Sequence, residues 1–278
     1  MADLLLVPLA SRALVRIAGP DWRGFLQGLL TQDVADLAEG DLRFSALLTP
    51  QGRLIFDLFL FGVAEGCLLD CAAPRREALI AKLSLHRLRA RVEIEPTDLE
   101  VLALLDWPSP PPAGWRPDPR LPALGHRGLG APAPNGARRG EEADYQARRL
   151  ELGVPGEADY GIDRVFPIEA DFDLLNGIDF KKGCFLGQET TSRMKRRGKI
   201  KSRMAPICFE GAPPPAESEI LAGQLRAGIA LSGIAGRAMA LLRLDRLDGA
   251  ALTLADGRAC RAEIPPWMAA EARSAAAA

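Results

Sequence analysis

Nine prolines and six glycines fall within residues 107–140, too many missing N–H donors and restricted φ angles for a helix or an interior strand to persist there. That stretch is expected to run as an extended connection or a loop flanking the active site, with regular structure supplied on either side of it. Upstream, residues 12–18 read as a strand, Gly19-Pro20 punctuates it, and Asp21 is placed to cap a helix. Trp22, Phe25, Leu26, Leu29 and Leu30 then recur at the helical period, which lays one apolar stripe against a core. Residues 42–48 and 54–61 are apolar, β-compatible runs joined by Thr49-Pro50-Gln51-Gly52, with proline and glycine placed as a hairpin turn prefers. A third strand is expected over 63–71, a helix from Pro74 to about Leu88, and another strand over 91–95.

Downstream, residues 144–152 read as a short helix stopped by Gly153, followed by an irregular stretch from Pro167 to Gly187. Beyond Lys201, apolar runs at 204–209, 225–231, 238–244, 251–254 and 259–264 alternate with turns, the pattern of a small antiparallel barrel. The alanine-rich residues 271–278 are expected to fray. Helices and strands alternate without the spacing of a doubly wound sheet, so the fold class is α+β.

At 278 residues the chain can build two or three compact units, each with its own core. With 35 basic and 36 acidic residues the formal charge is −1, which gives no global pull toward nucleic acid or an anionic membrane. Charges or prolines interrupt every apolar run, so no membrane-spanning helix and no membrane partner are expected. An acid, Asp3, stands where an export signal carries basic residues. The five cysteines are odd in number and form no CxxC pair, which points to reduced thiols in a cytoplasmic setting. Cys67 and Cys71 read as positions of a buried strand, and no metal site is expected on this chain.

The densest chemical signal is Lys182-Gly183-Cys184-Phe185-Leu186-Gly187-Gln188-Glu189. Glycines on both sides let the loop turn tightly around the cysteine. Lys181 and Lys182 are close in sequence, and a helix beginning near Gln188 would aim its amides back toward the sulfur. Both effects favour thiolate, the form a nucleophile or a soft-metal ligand needs. A second signal is the basic run Arg193, Lys195, Arg196, Arg197, Lys199, Lys201 and Arg203, with Arg193 and Arg197 as candidate anion or partner contacts.

The cysteine segment resembles the signature of the YgfZ-type folate-binding proteins, which are related to the T-protein of the glycine cleavage system. Similarity extends through Arg12–Asp21, Phe25–Val34, Arg149-Leu150-Glu151-Leu152-Gly153-Val154-Pro155 and Phe166-Pro167-Ile168-Glu169. The resemblance implies two interwoven ferredoxin-like α+β units around a central folate-sized hole, plus a C-terminal antiparallel barrel. On that plan residues 1–45 with 141–200 form the first unit, 46–140 the second and 201–270 the barrel. It further implies tetrahydrofolate or a one-carbon derivative as ligand, with Glu151 pairing the pterin edge through two hydrogen bonds. Two flanking tryptophans of the family fall on Arg12 and Tyr145 here.

T-protein carries Gly-Gly-x-x-Asp-Asp, where this chain has Gly52-Arg53-Leu54-Ile55-Phe56-Asp57. A phenylalanine cannot move a proton, which leaves Asp57 as the substitute acid. The resemblance thus implies a protein that binds folate and supports assembly or repair of iron–sulfur clusters through Cys184, with catalytic turnover left open. Its partners would be iron–sulfur enzymes or cluster carriers, including those of RNA modification, with any cluster residing on the client; a monomer is favoured. The rival readings are a folate-dependent aminomethyl- or methyltransferase and an RNA-binding module.

Overall fold

The computed structural model describes residues 4–107, 110–198, 200–247 and 251–269, so the expected fray at 271–278 lies outside the described residues. The chain divides into two compact units, residues 1–145 with 175–188 and residues 146–174 with 189–278.

The first unit contains, in order, β1 (Leu5–Pro8), β2 (Arg12–Ala18), α1 (Trp22–Gln27), β3 (Leu42–Leu48), β4 (Leu54–Val63), β5 (Gly66–Ala72), α2 (Arg76–Arg87), β6 (Glu93–Thr97), β7 (Val101–Leu105), β8 (Trp115–Pro117), β9 (His126–Leu129) and β10 (Arg138–Arg139). One sheet has the order β3-β4-β5-β2-β6 and the other β10-β1-β7-β9-β8. Period-2 alternation sorts the first sheet cleanly. Val15, Ile17, Leu58, Leu60, Cys67, Leu69 and Cys71 share one buried cluster with Trp22, Leu26, Leu29 and Leu30 from the α1 region and Leu79 and Leu83 from α2. Burial pushes the Cys67 and Cys71 thiols up, as expected of inert strand positions. The alternate residues Arg12, Phe44, Asp57, Phe59 and Asp70 occupy the opposite face, where Phe59 stands directly across from both Phe44 and Asp70.

Three expectations need correction here. Asp21 makes no side-chain cap on α1; its carboxylate accepts instead from the Arg91 backbone N–H (2.8 Å) and guanidinium (3.0 Å). The proline-rich connection holds strands after all, and β9 lies inside its sheet between β7 and β8. Its residues, His-Arg-Gly-Leu, contain no proline, so every ladder donor survives, while Pro117 ends the edge strand β8. Finally, contacts group the chain otherwise than 1–45 with 141–200 and 46–140. A boundary at 45/46 would cut β3, whose residues pair along β4 from Leu42↔Phe61 to Leu48↔Leu54.

The second unit begins within α3 (Glu142–Glu151), continues through α4 (Glu157–Tyr160) and most of α5 (Gln188–Arg197), and ends in β11 (Ser202–Phe209), β12 (Glu219–Ala222), β13 (Leu225–Ile234), β14 (Arg237–Arg243), β15 (Leu252–Leu254) and β16 (Ala259–Ala262). These six strands close in the order β11-β14-β13-β12-β15-β16, with β16 pairing back on β11. The expected antiparallel barrel is present, with β12 added. Its interior mixes small residues such as Ala205, Ala227, Ala230, Ala238 and Ala240 with larger ones such as Ile207, Ile220, Leu242 and Met268, which together fill a narrow closure.

Candidate functional site

Cys184 stands on a loop that is clamped on all sides except at the thiol. Before it, the Asp179 amide donates to the Thr31 carbonyl (3.0 Å), and the buried Thr31 hydroxyl donates to the Gly177 carbonyl (2.6 Å). The Lys182 side chain turns inward and its ammonium donates to the carbonyls of Gln27 (3.0 Å), Leu30 (2.6 Å) and Gln32 (2.8 Å), the chain end that follows α1. Burial lowers its pKa to about 8, against the opposing pull of Asp33 and Asp179. Beyond the cysteine, Phe185 is buried with the Lys182 ammonium 5.5 Å from its ring centroid, and the Leu186 amide donates to the Gly28 carbonyl (3.1 Å).

Gly187 completes the clamp. It has φ +81°, and a Cβ placed there would meet the Thr49 carbonyl oxygen at 2.6 Å and Gly52 Cα at 2.9 Å, so only glycine lets the loop seat against the β3–β4 turn. Gly183 differs: its φ is not positive and a Cβ added there would meet nothing within 4 Å, which leaves open space beside the cysteine. Cys184 itself is exposed, whereas Cys67 and Cys71 are buried and Cys208 and Cys260 half-buried. Gln188 and Glu189 open α5 immediately after the loop, in the place expected. The electrostatic expectation for Lys182 is corrected, however, because its charge is directed at three carbonyls rather than toward sulfur. Sequence reasoning misses Thr31 and Gln32 as loop holders; a buried threonine carries no sequence signal distinguishing it from an exposed one.

Three other candidates, Arg12, Asp57 and Tyr145, do come together, in a buried ionic network of the first unit. Arg12 donates to Asp57 (2.9 Å) and to Asp70, Arg127 reaches Asp70 and Asp118 (3.3 Å), and Arg120 pairs with Asp118 (2.8 Å). The Tyr145 hydroxyl accepts from both Arg120 and Arg127. Three guanidiniums surround the Phe59 ring, that of Arg127 at 3.7 Å, Arg120 at 4.8 Å and Arg12 at 5.6 Å from its centroid. Burial works against the Arg12 charge, but Asp57 and Asp70 outweigh it and hold its pKa above the ordinary value. Burial likewise opposes the Asp118 carboxylate, and Arg120 and Arg127 pull its pKa below the usual range. Three arginines thus balance three aspartates. Arg12 has no charge to spare for a ligand's carboxylate, Asp57 is held by Arg12, and Tyr145 is 4% exposed, too covered to offer a ring face. As placed, these three residues do not fit a folate.

Glu151 belongs to the second unit, exposed at the end of α3, with Arg148 at 3.8 Å. The basic run is dispersed as well. Arg203 is fully buried and donates to Asp171 (2.9 Å) and Asp173 (2.9 Å), and Lys195 pairs with Asp173 (3.0 Å). Arg193 and Arg197 stand exposed on α5, and Lys199 lies outside the described residues.

Residues 201–270 match the C-terminal β-barrel domain of CAF17. Across the whole chain, the human mitochondrial iron-sulfur cluster assembly factor IBA57 is 31% identical over 300 aligned positions, covering 93% of this chain and 84% of that protein. The chain belongs to the IBA57 family. Its mouse member is 32% identical, with 87% and 78% covered, and the Neurospora crassa homologue is 32% identical, with 80% of this chain and 58% of that longer protein covered. The YgfZ-type resemblance therefore stands as kinship with a related family. These IBA57 proteins are named mitochondrial, which overturns the cytoplasmic expectation drawn from reduced thiols. Reduced cysteines do not separate one reducing compartment from another. The fold is that of the glycine cleavage aminomethyltransferase T from Bartonella henselae, with a TM-score of 0.77 over 96% of this chain and 86% of the other; at 18% identity the likeness speaks for fold alone.

Proposed function

We propose that this chain acts in iron–sulfur cluster assembly and that the Cys184 thiol is the group that meets the cluster. The observation that carries this reading is the contrast within one loop: Lys182, Phe185, Leu186 and Gly187 are all fixed to the first unit, and the cysteine they surround is exposed. A buried structural cysteine needs no such presentation. The names of the IBA57 relatives supply the process, since each is called an iron-sulfur cluster assembly factor.

The Cys184 thiol releases its proton to solvent, and the resulting thiolate donates a lone pair to a cluster iron, a ligand type that suits iron–sulfur centres. Among the described residues, no group of three or more His, Cys, Asp or Glu gathers as a metal site. One thiol can supply one ligand, so the donor or client must supply the rest. The cluster is therefore cargo shared between this protein and a partner, and the clamped loop fixes where that sharing occurs. No step is routed through folate, because Arg12, Asp57 and Tyr145 are committed to the protein's own ion pairs. The same commitment of Asp57 leaves an aminomethyl transfer without its proposed base.

The test is genetic. In cells lacking the native protein, wild type is expected to restore iron–sulfur enzyme activity, and Cys184→Ala, expressed to equal level, is expected not to. Full restoration by the alanine variant would remove the thiol from the account.

A further inference from the structure

A second surface of the first unit has features that the cysteine loop does not explain. At the C-terminal end of α2 and in the turn to β6, the sequence Lys82-Leu83-Ser84-Leu85-His86-Arg87-Leu88-Arg89-Ala90-Arg91 combines cations with leucines. Leu83 is buried in the core, but Leu85 is 73% exposed and Leu88 is 89% exposed. Leu88 also sits at φ 43° and ψ −107°, a backbone region that glycine takes easily and leucine does not. A large apolar side chain is thus held outward at a position where the backbone favours glycine.

The charges around it are unevenly matched. Most acids of the neighbourhood are engaged, Asp21 with Arg91, Glu77 with Arg76, and Glu93 and Glu95 with Arg16; Glu65, near Gly19 and Pro20, is the exception among the described residues. Lys82, Arg87 and Arg89 have no side-chain hydrogen bond or ion pair among the described residues. Arg87, Leu88, Arg89 and Glu93 line a cleft of about 390 Å³ beside Gly19 and Pro20. A whole-chain charge of −1 gives no general attraction to anions, so this cationic patch acts locally.

We infer that this end of α2 is a peripheral docking surface for an anionic lipid bilayer, with Leu85 and Leu88 entering the boundary between headgroups and acyl chains. Lys82, Arg87 and Arg89 pair with lipid phosphates and carboxylates while their stems lie along the interface. Exposed leucines set among cations that have no acidic partner match both parts of such a surface, its anionic headgroups and the acyl boundary beneath them. The surface is separate from the thiol loop: Asp21, before α1, holds Arg91 of this patch, whereas Gln27 and Gly28, at the other end of α1, hold the loop.

The test is flotation of the full chain with vesicles of phosphatidylcholine containing about 30% phosphatidylserine. Wild type is expected to float at low salt and to be released at high salt or from pure phosphatidylcholine. Arg87→Gln with Arg89→Gln is expected to weaken partition roughly twenty-five-fold, about fivefold for each cation. Leu88→Gly is expected to weaken it roughly tenfold while raising the thermal midpoint, a split that a merely structural leucine would not produce. Cys184→Ala should float as wild type does, which separates failure here from failure of the cluster reading. No flotation, or flotation indifferent to both patch variants, overturns the inference. Arg87- and Arg89-dependent retention on immobilised polyglutamate without vesicle binding would assign the patch to an acidic protein and also overturn it.

Discussion

Lys182→Met keeps the aliphatic stem of the side chain and removes only the ammonium, leaving the carbonyls of Gln27, Leu30 and Gln32 without a donor that now sits 2.6–3.0 Å away. A hydrogen bond to a charged group contributes about 1.5–3 kcal/mol, so the gross loss is large. Two effects reduce it: burial already disfavours the ammonium, as its pKa of about 8 shows, and methionine recovers apolar contact with Phe185. A net cost of about 1–3 kcal/mol is expected. It should appear locally, because this one ammonium supplies three of the hydrogen bonds that tie residues 175–188 to the rest of the first unit. Hydrogen exchange at the Leu186 amide, which donates to Gly28, reads that opening directly. The expected acceleration is roughly five- to 150-fold. Alkylation of Cys184 should change little, since the thiol is exposed in both proteins. Unchanged exchange at Leu186 would refute the claim that Lys182 is the loop's anchor.

Further outcomes follow from the same geometry. Gly187→Ala must relieve a contact of 2.6 Å with the Thr49 carbonyl and accept φ +81°, so a cost of about 2–4 kcal/mol is expected in urea denaturation, with cluster activity falling although Cys184 is intact. Arg127→Leu leaves Asp70 and Asp118 short of a partner in a buried site, and about 3–5 kcal/mol of destabilisation should be measured by chemical denaturation. Lysine side-chain NMR should show Lys182 titrating near pH 8 rather than 10.5. Between those values the unfolded chain binds the proton that the folded chain has released, so this group's contribution to stability rises with pH across that window; a midpoint at 10.5 would contradict the burial argument.

The legible parts of this fold are those where one physical signal dominates. Trp22 and Leu26 repeat at helical spacing on α1, Leu29 and Leu30 continue the pattern just past its end at Gln27, and all four enter the core; the Thr49–Gly52 turn joins the two apolar runs on either side of it as a hairpin. The second sheet is not legible. β9 is His126-Arg127-Gly128-Leu129, and its arginine is buried because Asp70, distant in sequence, neutralises it. A pattern of apolar residues cannot announce a core built on ion pairs. The candidate site divides along the same line. Gly187 and Cys184 follow from local backbone and exposure, whereas the inward turn of Lys182 depends on carbonyls 150 or more residues earlier in the chain. Arg12, Asp57 and Tyr145 do belong together, yet their partners Asp70, Asp118, Arg120 and Arg127 give no sign in sequence of closing the network on itself.

The most direct measurement is retention of cargo by the purified protein. Mixed anaerobically with a carrier loaded with a [2Fe–2S] cluster, wild type is expected to form a complex that keeps iron and the visible absorption of the cluster through gel filtration, and Cys184→Ala is expected to lose both while binding no worse to the carrier without cluster. Equal iron in the alanine complex would contradict the assignment of the thiol as the cluster's ligand.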